Sequence, residues 1–242
     1  MSFTIPDSIA HTLGMTAKDP QKKRATANAI SEVAAFAHLK KTHPELHTAA
    51  LPFRGTIASR VQPQRTRDAL FARLAKSIVS QQFSGKAADT IYGRVEEVLG
   101  GKVTAAAIAA ANDHKLRACG LSVAKVAALR DLSEHVLSGR IDLLKLRTMP
   151  AEVAVETLVK VRGIGPWTAE MFLIFALGAP DVYSPGDLIL ARLTEELFKL
   201  SKGTKPKDLA KLAEKWSPHR TFVSLLLWRM HHAREDAKRA AK

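Results

Sequence analysis

Apolar residues recur at helical spacing along most of this chain. Between residues 67 and 82, Leu70, Phe71, Leu74, Ile78 and Val79 form a stripe in steps of three and four, the mark of a helix with one buried face. Residues 27–39 are alanine-rich with the same spacing. His43-Pro44 interrupts them, because proline pushes the residue before it away from helical geometry. Pro52, Gly55 and Pro63 among polar residues predict a connector over 50–66. A helix is predicted from Ser84 to Leu99, with Ser84 as its N-cap and Gly100-Gly101 as its stop. Similar patterns cover 104–112, 123–137 after Ser122, and 151–160 after Pro150. Pro166 opens the next helix, where its missing N–H costs nothing, and Gly178 ends it after about Leu177. Ser184-Pro185-Gly186-Asp187 opens another through Leu200, and residues 207–215 and 218–240 follow. The charged tail from Arg234 is expected to fray. With no alternating strand pattern and no internal repeat, the expectation is an all-α protein.

Composition narrows the function classes. Hydrophobic residues make up 46% of 242 and charged residues 25%, which suits a globular chain with a sizeable core. Lys and Arg total 37 against 23 Asp and Glu, a net charge of +14. A field of that sign attracts polyanions, although a basic surface also serves solubility. The single cysteine, Cys119, rules out a disulfide framework and suits a reducing cytoplasm. The N-terminal MSFTIPDSIAHTLGM lacks a basic region followed by an apolar run, so no signal peptide is expected. No apolar stretch reaches membrane-spanning length. The nine histidines have no metalloenzyme spacing, and phosphate-loop and dinucleotide fingerprints are absent.

The chemistry concentrates between Leu158 and Leu190. Val161-Arg162-Gly163-Ile164-Gly165 separates two helical patterns, and the hairpin they form spans about 151–177. In such a turn the N–H groups of Gly163 and Gly165 can meet a phosphate, since glycine has no Cβ to block approach. Lys160 and Arg162 add charge on either side. A plain helical-hairpin turn explains Gly-x-Gly alone about as well; the run from Gly163 to Glu170, GIGPWTAE, is more specific. Asp187 follows Gly165 by 22 residues, where it could simply cap a helix. Trp167 and Trp228 would each, taken alone, be core residues by default.

Together these segments resemble the helix-hairpin-helix, Gly-Pro-Asp (HhH-GPD) superfamily of DNA base-excision glycosylases, and most closely its 3-methyladenine glycosylase II branch. The resemblance covers roughly residues 66–235, and the chain is similar to the compact members that lack an N-terminal α/β domain. It implies two helical lobes with the active site in the cleft between them. Residues 1–50 are expected to form a basic helical extension packed on a body of 51–242. The resemblance makes Asp187 the essential carboxylate, opposing the positive charge that develops on the deoxyribose as the N-glycosidic bond breaks. Trp167 and Trp228 map to the walls of the base pocket, where an electron-rich indole favours a cationic base. Met171 stands where some members have tyrosine. Relatives that also cut the strand carry a lysine at the position of Trp167, so no lyase activity is expected.

The segment Ser80-Gln81-Gln82-Phe83 resembles the family's wedge, which fills the gap left by a flipped base. Gln82 is the aligned intercalating residue. Phe83 could be the wedge instead, or buried core. Gly120-Leu121-Ser122 with Lys125 and Leu129-Arg130-Asp131-Leu132 is similar to family scaffold with some phosphate contact. Family members also hold a monovalent cation on turn carbonyls, which map to Val159, Val161 and Gly163. A structural Na+ or K+ is therefore implied, with no required cofactor and no iron–sulfur cluster, for which one cysteine is too few. Where the family commonly has a basic residue this chain has Pro166, one phosphate contact fewer.

The expected activity is monofunctional excision of N-alkylated purines from double-stranded DNA by a cytoplasmic, nucleoid-associated monomer. Two alternatives stay open: a glycosylase of the same fold for deaminated or other damaged bases, and a non-catalytic DNA-binding protein. The second would need the hairpin but neither Asp187 nor the two tryptophans.

Overall fold

The computed structural model describes residues 31–58 and 61–241, and the described residues hold helices and no strand. Helix α1, Glu32–Thr42, starts where Ser31 Oγ accepts the Ala34 amide, and His43 ends it at the predicted break. Residues 27–30 of the pattern read there lie outside the described residues. Helix α2, Pro44–Ala50, follows at once with proline in its first turn. The connector contains only a short 3-10 turn, Leu51–Phe53. Helix α3, Arg67–Ser80, is capped by Thr66 and buries the predicted stripe of Leu70, Phe71, Leu74, Ile78 and Val79.

Helix α4, Gly85–Val98, begins beside Ser84, whose hydroxyl makes no capping bond. It stops as expected, with Gly100 and Gly101 at positive φ and the Gly101 amide on Glu96 O. The single helix expected over 104–112 is two. Helix α5, Ala105–Ala110, ends early, and α6, Asp113–Ala118, begins where Asn112 Oδ1 accepts the His114 amide. That side chain offers the backbone a cap in place of continued helix. Helix α7, Val123–Leu137, is capped by Ser122. The hairpin is α8, Ala151–Leu158, and α9, Pro166–Phe172. A π turn, Leu173–Leu177, prolongs α9 to Gly178 at φ 70.

Helix α10, Leu188–Leu197, ends three residues before Leu200, and α11 covers Pro206–Ala213. Helix α12, Arg220–Ala240, continues through the tail that was expected to fray. Arg234 there holds Glu196 of α10 with two nitrogens, at 2.8 and 2.7 Å.

One lobe is built from α3 to α7 and carries the hairpin. The other joins α1 and α2 to α10, α11 and α12, with Trp216 wholly buried against Tyr183 and Phe198. Phe36 of α1 meets Phe222 of α12 edge-on at 5.5 Å. The Glu32 carboxylate accepts the amides of Gly55 and Ala58, at 2.7 and 2.8 Å, and so fixes the connector. Gln64 N donates to Ala176 O of the π turn, and a Cβ on Gly178 would lie 2.6 Å from Pro63 Cγ. The connector therefore packs directly against the π turn and its terminal glycine.

Candidate active site and nucleic-acid interface

Asp187 sits at the N-cap of α10, almost fully buried. One carboxylate oxygen, Oδ1, accepts the Ile189 and Leu190 amides at 3.0 Å each. The same oxygen accepts Trp228 Nε1–H at 3.2 Å, and Oδ2 accepts Trp167 Nε1–H at 2.9 Å. One side chain thus caps the helix and holds both indole N–H groups. The turn before it is held from α9, where Ser184 Oγ donates to Glu170 Oε2 at 2.5 Å. Burial pushes the Glu170 carboxyl above its ordinary pKa; the Ser184 bond opposes this and the Asp187 charge adds to it.

A cavity of about 460 Å³ opens beside this carboxylate. Its aromatic and apolar wall includes Trp167, Met171, Phe175, Leu225 and Trp228. The π turn delivers Phe175, whose ring lies 5.6 Å from that of Trp228. Trp167 is half exposed, at 50%, although its N–H is committed to Asp187, so the indole is a cavity wall and not core packing. The volume lies in the range of small-molecule sites and is ample for a nucleobase.

The segment expected to act as the wedge, Ser80 to Phe83, lies at the junction of α3 and α4. Gln82 is exposed and has φ 62, a left-handed conformation uncommon for a residue with a side chain. Gln81 Nε2 donates to Gly163 O at 2.7 Å and joins this loop to the hairpin. Phe83 is not core: it is 39% exposed, with the Lys125 ammonium 3.6 Å from its ring centroid.

In the hairpin turn Gly163 has φ 80, and a Cβ there would come within 3.1 Å of Ala128 Cβ. Gly165 has ordinary extended backbone, and a Cβ on it would meet open space. The turn therefore needs glycine at 163, whereas at 165 glycine clears the outer surface. Among the described residues the amides of Gly163 and Gly165 have no protein acceptor, while the Arg162 amide is taken by Asp131 Oδ2 at 2.7 Å. The side chains of Lys160 and Arg162 are exposed. Val161 O accepts the Ile164 amide and Gly163 O accepts Gln81, which leaves each carbonyl a second lone pair. Lys125 and Arg130, in the stretch associated with phosphate contact, turn inward. Lys125 bonds Val79 O and Gln81 O, and Arg130 bonds Asp113 and carbonyls of the α5 end.

Residues 75–219, more than half of the chain, match the HhH-GPD superfamily base excision DNA repair protein family. The chain belongs to this superfamily. It is 32% identical over 216 residues to the DNA-3-methyladenine glycosylase of Saccharomyces cerevisiae, covering 75% of this chain and 73% of that protein. The DNA-3-methyladenine glycosidase structure from Bacillus halodurans superposes with a TM-score of 0.64 at 36% identity, covering 77% of this chain and 88% of that one. The Schizosaccharomyces pombe 3-methyladenine DNA glycosylase in complex with abasic DNA superposes with a TM-score of 0.63 at 28% identity, covering 81% of this chain and 95% of that one.

In this member of the superfamily the structure brings Asp187, Trp167, Trp228 and Met171 to one cavity, and Trp167 and Met171 also line a neighbouring hollow with Gln82; the hairpin turn forms a separate surface hollow, and Phe83 lines none of the three. It also adds residues that sequence reasoning passed over. Arg229 and His232 line the cavity, one residue and one turn beyond Trp228, a spacing on α12 that places them on its face with Leu225. That periodicity was available in the sequence. Thr56 and Ile57 reach the cavity from the connector, and Phe175 reaches it through the π turn; no local pattern marks these three.

Proposed function

We propose that this protein is a monofunctional DNA glycosylase that removes N-alkylated purines of the 3-methyladenine type from double-stranded DNA by hydrolysis of the N-glycosidic bond. The observation that carries this function is the Asp187 carboxylate held by both indole N–H groups at the edge of an aromatic cavity. A purine turned out of the duplex would stack against Trp167 and Trp228, and an alkylated, cationic ring gains more from an indole face than a neutral one. As the C1′–N bond breaks, its electron pair leaves with the base, and the positive charge of the ring is neutralised. The deoxyribose becomes oxocarbenium-like, and the Asp187 carboxylate opposes that charge from a fixed position. Water, oriented by Asp187, then bonds to C1′ and passes its proton to that carboxylate, which returns it to solvent. A base that leaves as a neutral molecule needs little acid assistance, which is why one carboxylate suffices.

The free amides of Gly163 and Gly165, with Lys160 and Arg162, would hold one strand by its phosphates, and Gln82 would fill the vacated stack. The carbonyls of Val159, Val161 and Gly163 would hold the monovalent cation, those of Val161 and Gly163 through their remaining lone pairs, and it would supply positive charge to the turn beside the phosphate. Trp167 offers no amine to the sugar, so water is the nucleophile and the strand stays intact.

Release of free base from methylated duplex DNA by the purified protein tests this function, with Asp187→Asn as the control. Asparagine preserves the helix cap, so the variant should fold and bind DNA but lose about 100-fold or more in single-turnover excision. Release of hypoxanthine but not of methylated purines would assign the protein to deaminated bases. Binding without any release would make it a non-catalytic DNA binder.

A further inference from the structure

Helix α7 carries Lys125, Ala128 and Asp131 at steps of three, on one face. Each touches a different part of the two loops that face the cleft. Lys125 Nζ donates to Val79 O at 2.6 Å and to Gln81 O at 2.7 Å. Ala128 Cβ is the atom nearest to where a Cβ on Gly163 would stand. Asp131 Oδ2 accepts the Arg162 amide. One helix face thus sets the wedge loop and the hairpin turn relative to each other.

We infer that Lys125 is a positioning residue for base flipping: its ammonium clamps the end of α3 and the wedge loop 81–83 so that Gln82 is presented to the duplex in a fixed orientation. The carbonyls at a helix C-terminus are left without helical partners and carry partial negative charge, so an ammonium there satisfies both. The Phe83 ring takes another side of the same ammonium, 3.6 Å from its centroid. Burial lowers the pKa of Lys125 from the usual lysine value, a cost these contacts offset. The side chain of the same Gln81 is tied to the hairpin, its Nε2 donating to Gly163 O. Gln82 follows the doubly held Gln81 and, with its side chain exposed, takes the left-handed third position of a turn that the Phe83 amide closes on Ser80 O, a place that favours glycine. Such a conformation persists only where the surroundings over-determine it. Without Lys125 the loop loses its anchor on the α7 side and Gln82 relaxes, while Asp187 and the aromatic cavity keep their own supports.

A wedge matters only to a protein that opens duplex DNA, so this role rests on the base-excision function proposed above. The test uses full-length Lys125→Met with N7-methylguanine placed opposite cytosine or opposite an abasic site, and 2-aminopurine as the neighbouring base. Opening a pair costs least where the partner base is already missing. On the paired lesion we expect single-turnover excision to fall about tenfold, the scale of one lost charge-assisted hydrogen bond, with a smaller rise in 2-aminopurine fluorescence on binding. Opposite the abasic site the loss should shrink to within about threefold. Equal losses on both substrates, or no loss on the paired one, would overturn the role. Lys125→Gln keeps donors for the two carbonyls and should fall between wild type and Met, which preserves the test if the Met variant melts early. Should the wild type release no base at all, the glycosylase function fails by itself. The fluorescence comparison still decides the wedge, because it reads unstacking and not chemistry.

Discussion

Asp187 is the clearest case of one side chain meeting two demands. Its Oδ1 caps α10 through two backbone amides, and the indole N–H groups of Trp167 and Trp228 then set the direction of the carboxylate. The motif around it singles Asp187 out in the sequence; the twin indole bonds are not legible there, because they join residues 20 and 41 positions away. Phe83 shows the opposite case. A large aromatic residue in a polar loop is read as core before it is read as wedge, yet the ring is exposed and lies against the Lys125 ammonium. Trp167 makes two separable contributions, a hydrogen bond to Asp187 and an exposed ring face. Trp167→Phe should keep the stacking surface and lose the bond, lowering excision of cationic and neutral bases alike. Trp167→Ala should in addition weaken selection for cationic bases by about 0.5–2 kcal/mol. Excision of N7-methylguanine against hypoxanthine by both variants separates the two effects. An identical ratio in Trp167→Ala and wild type would leave the ring a packing role only.

The hairpin separates glycine's two uses within three residues. Helices α8 and α9 and the turn between them fall where periodicity and Pro166 predicted. The sequence could not tell which glycine the fold needs and which the surface needs, because that depends on Ala128 across the interface. Gly163→Ala forces a side chain into a left-handed backbone and against Ala128, costing roughly 1–2 kcal/mol. In a chain of this length that is a drop of roughly 2–4 °C in Tm per kcal/mol. Gly165→Ala adds a methyl to open space, so its Tm should match wild type while duplex binding weakens. Thermal melting and fluorescence anisotropy on undamaged duplex give both readings. A Gly165→Ala variant with unchanged binding would show that no DNA backbone approaches that turn closely. The same dependence on distant contacts hid the π turn: Leu173 to Leu177 fit ordinary helical periodicity, and only the structure shows the extra residue that turns Phe175 toward Trp228. The split of α5 from α6 was legible in Asn112-Asp113, a capping signal that the apolar pattern masked.

The net charge of +14 belongs to the whole molecule and bears on encounter more than on any one contact. If the hairpin and its surroundings neutralise about four phosphates, log K for duplex DNA should fall with a slope near −3.6 against log salt. A flat response would separate the charge from DNA binding altogether. The junction between α1, α2 and α12 carries a second global property. His38 and His219 meet ring to ring at 5.2 Å, and His43 is buried beside them. Burial lowers the pKa of both His43 and His219 below the ordinary 6.5; His38 adds repulsion to each, and Glu45 and Asp181 oppose it. Lys215 also repels the protonated form of His43. Unfolding frees these imidazoles to take protons near pH 6.5, so their contribution to stability is complete above that pH and is lost as pH falls through their lower folded values. Asp181 titrates in a different window. Its burial raises the pKa, but bonds from Arg220 and Ser217 outweigh that and leave it lowered. Its contribution therefore holds until pH falls below about 4. A decline in Tm between pH 7.5 and pH 5.5 thus belongs to the histidines. His219→Phe keeps the aromatic contact with His38 and removes one of the titrating groups. Its Tm should fall less over that interval than the wild-type Tm, and equal falls would place the acid sensitivity elsewhere than where the N-terminal helices dock on α12.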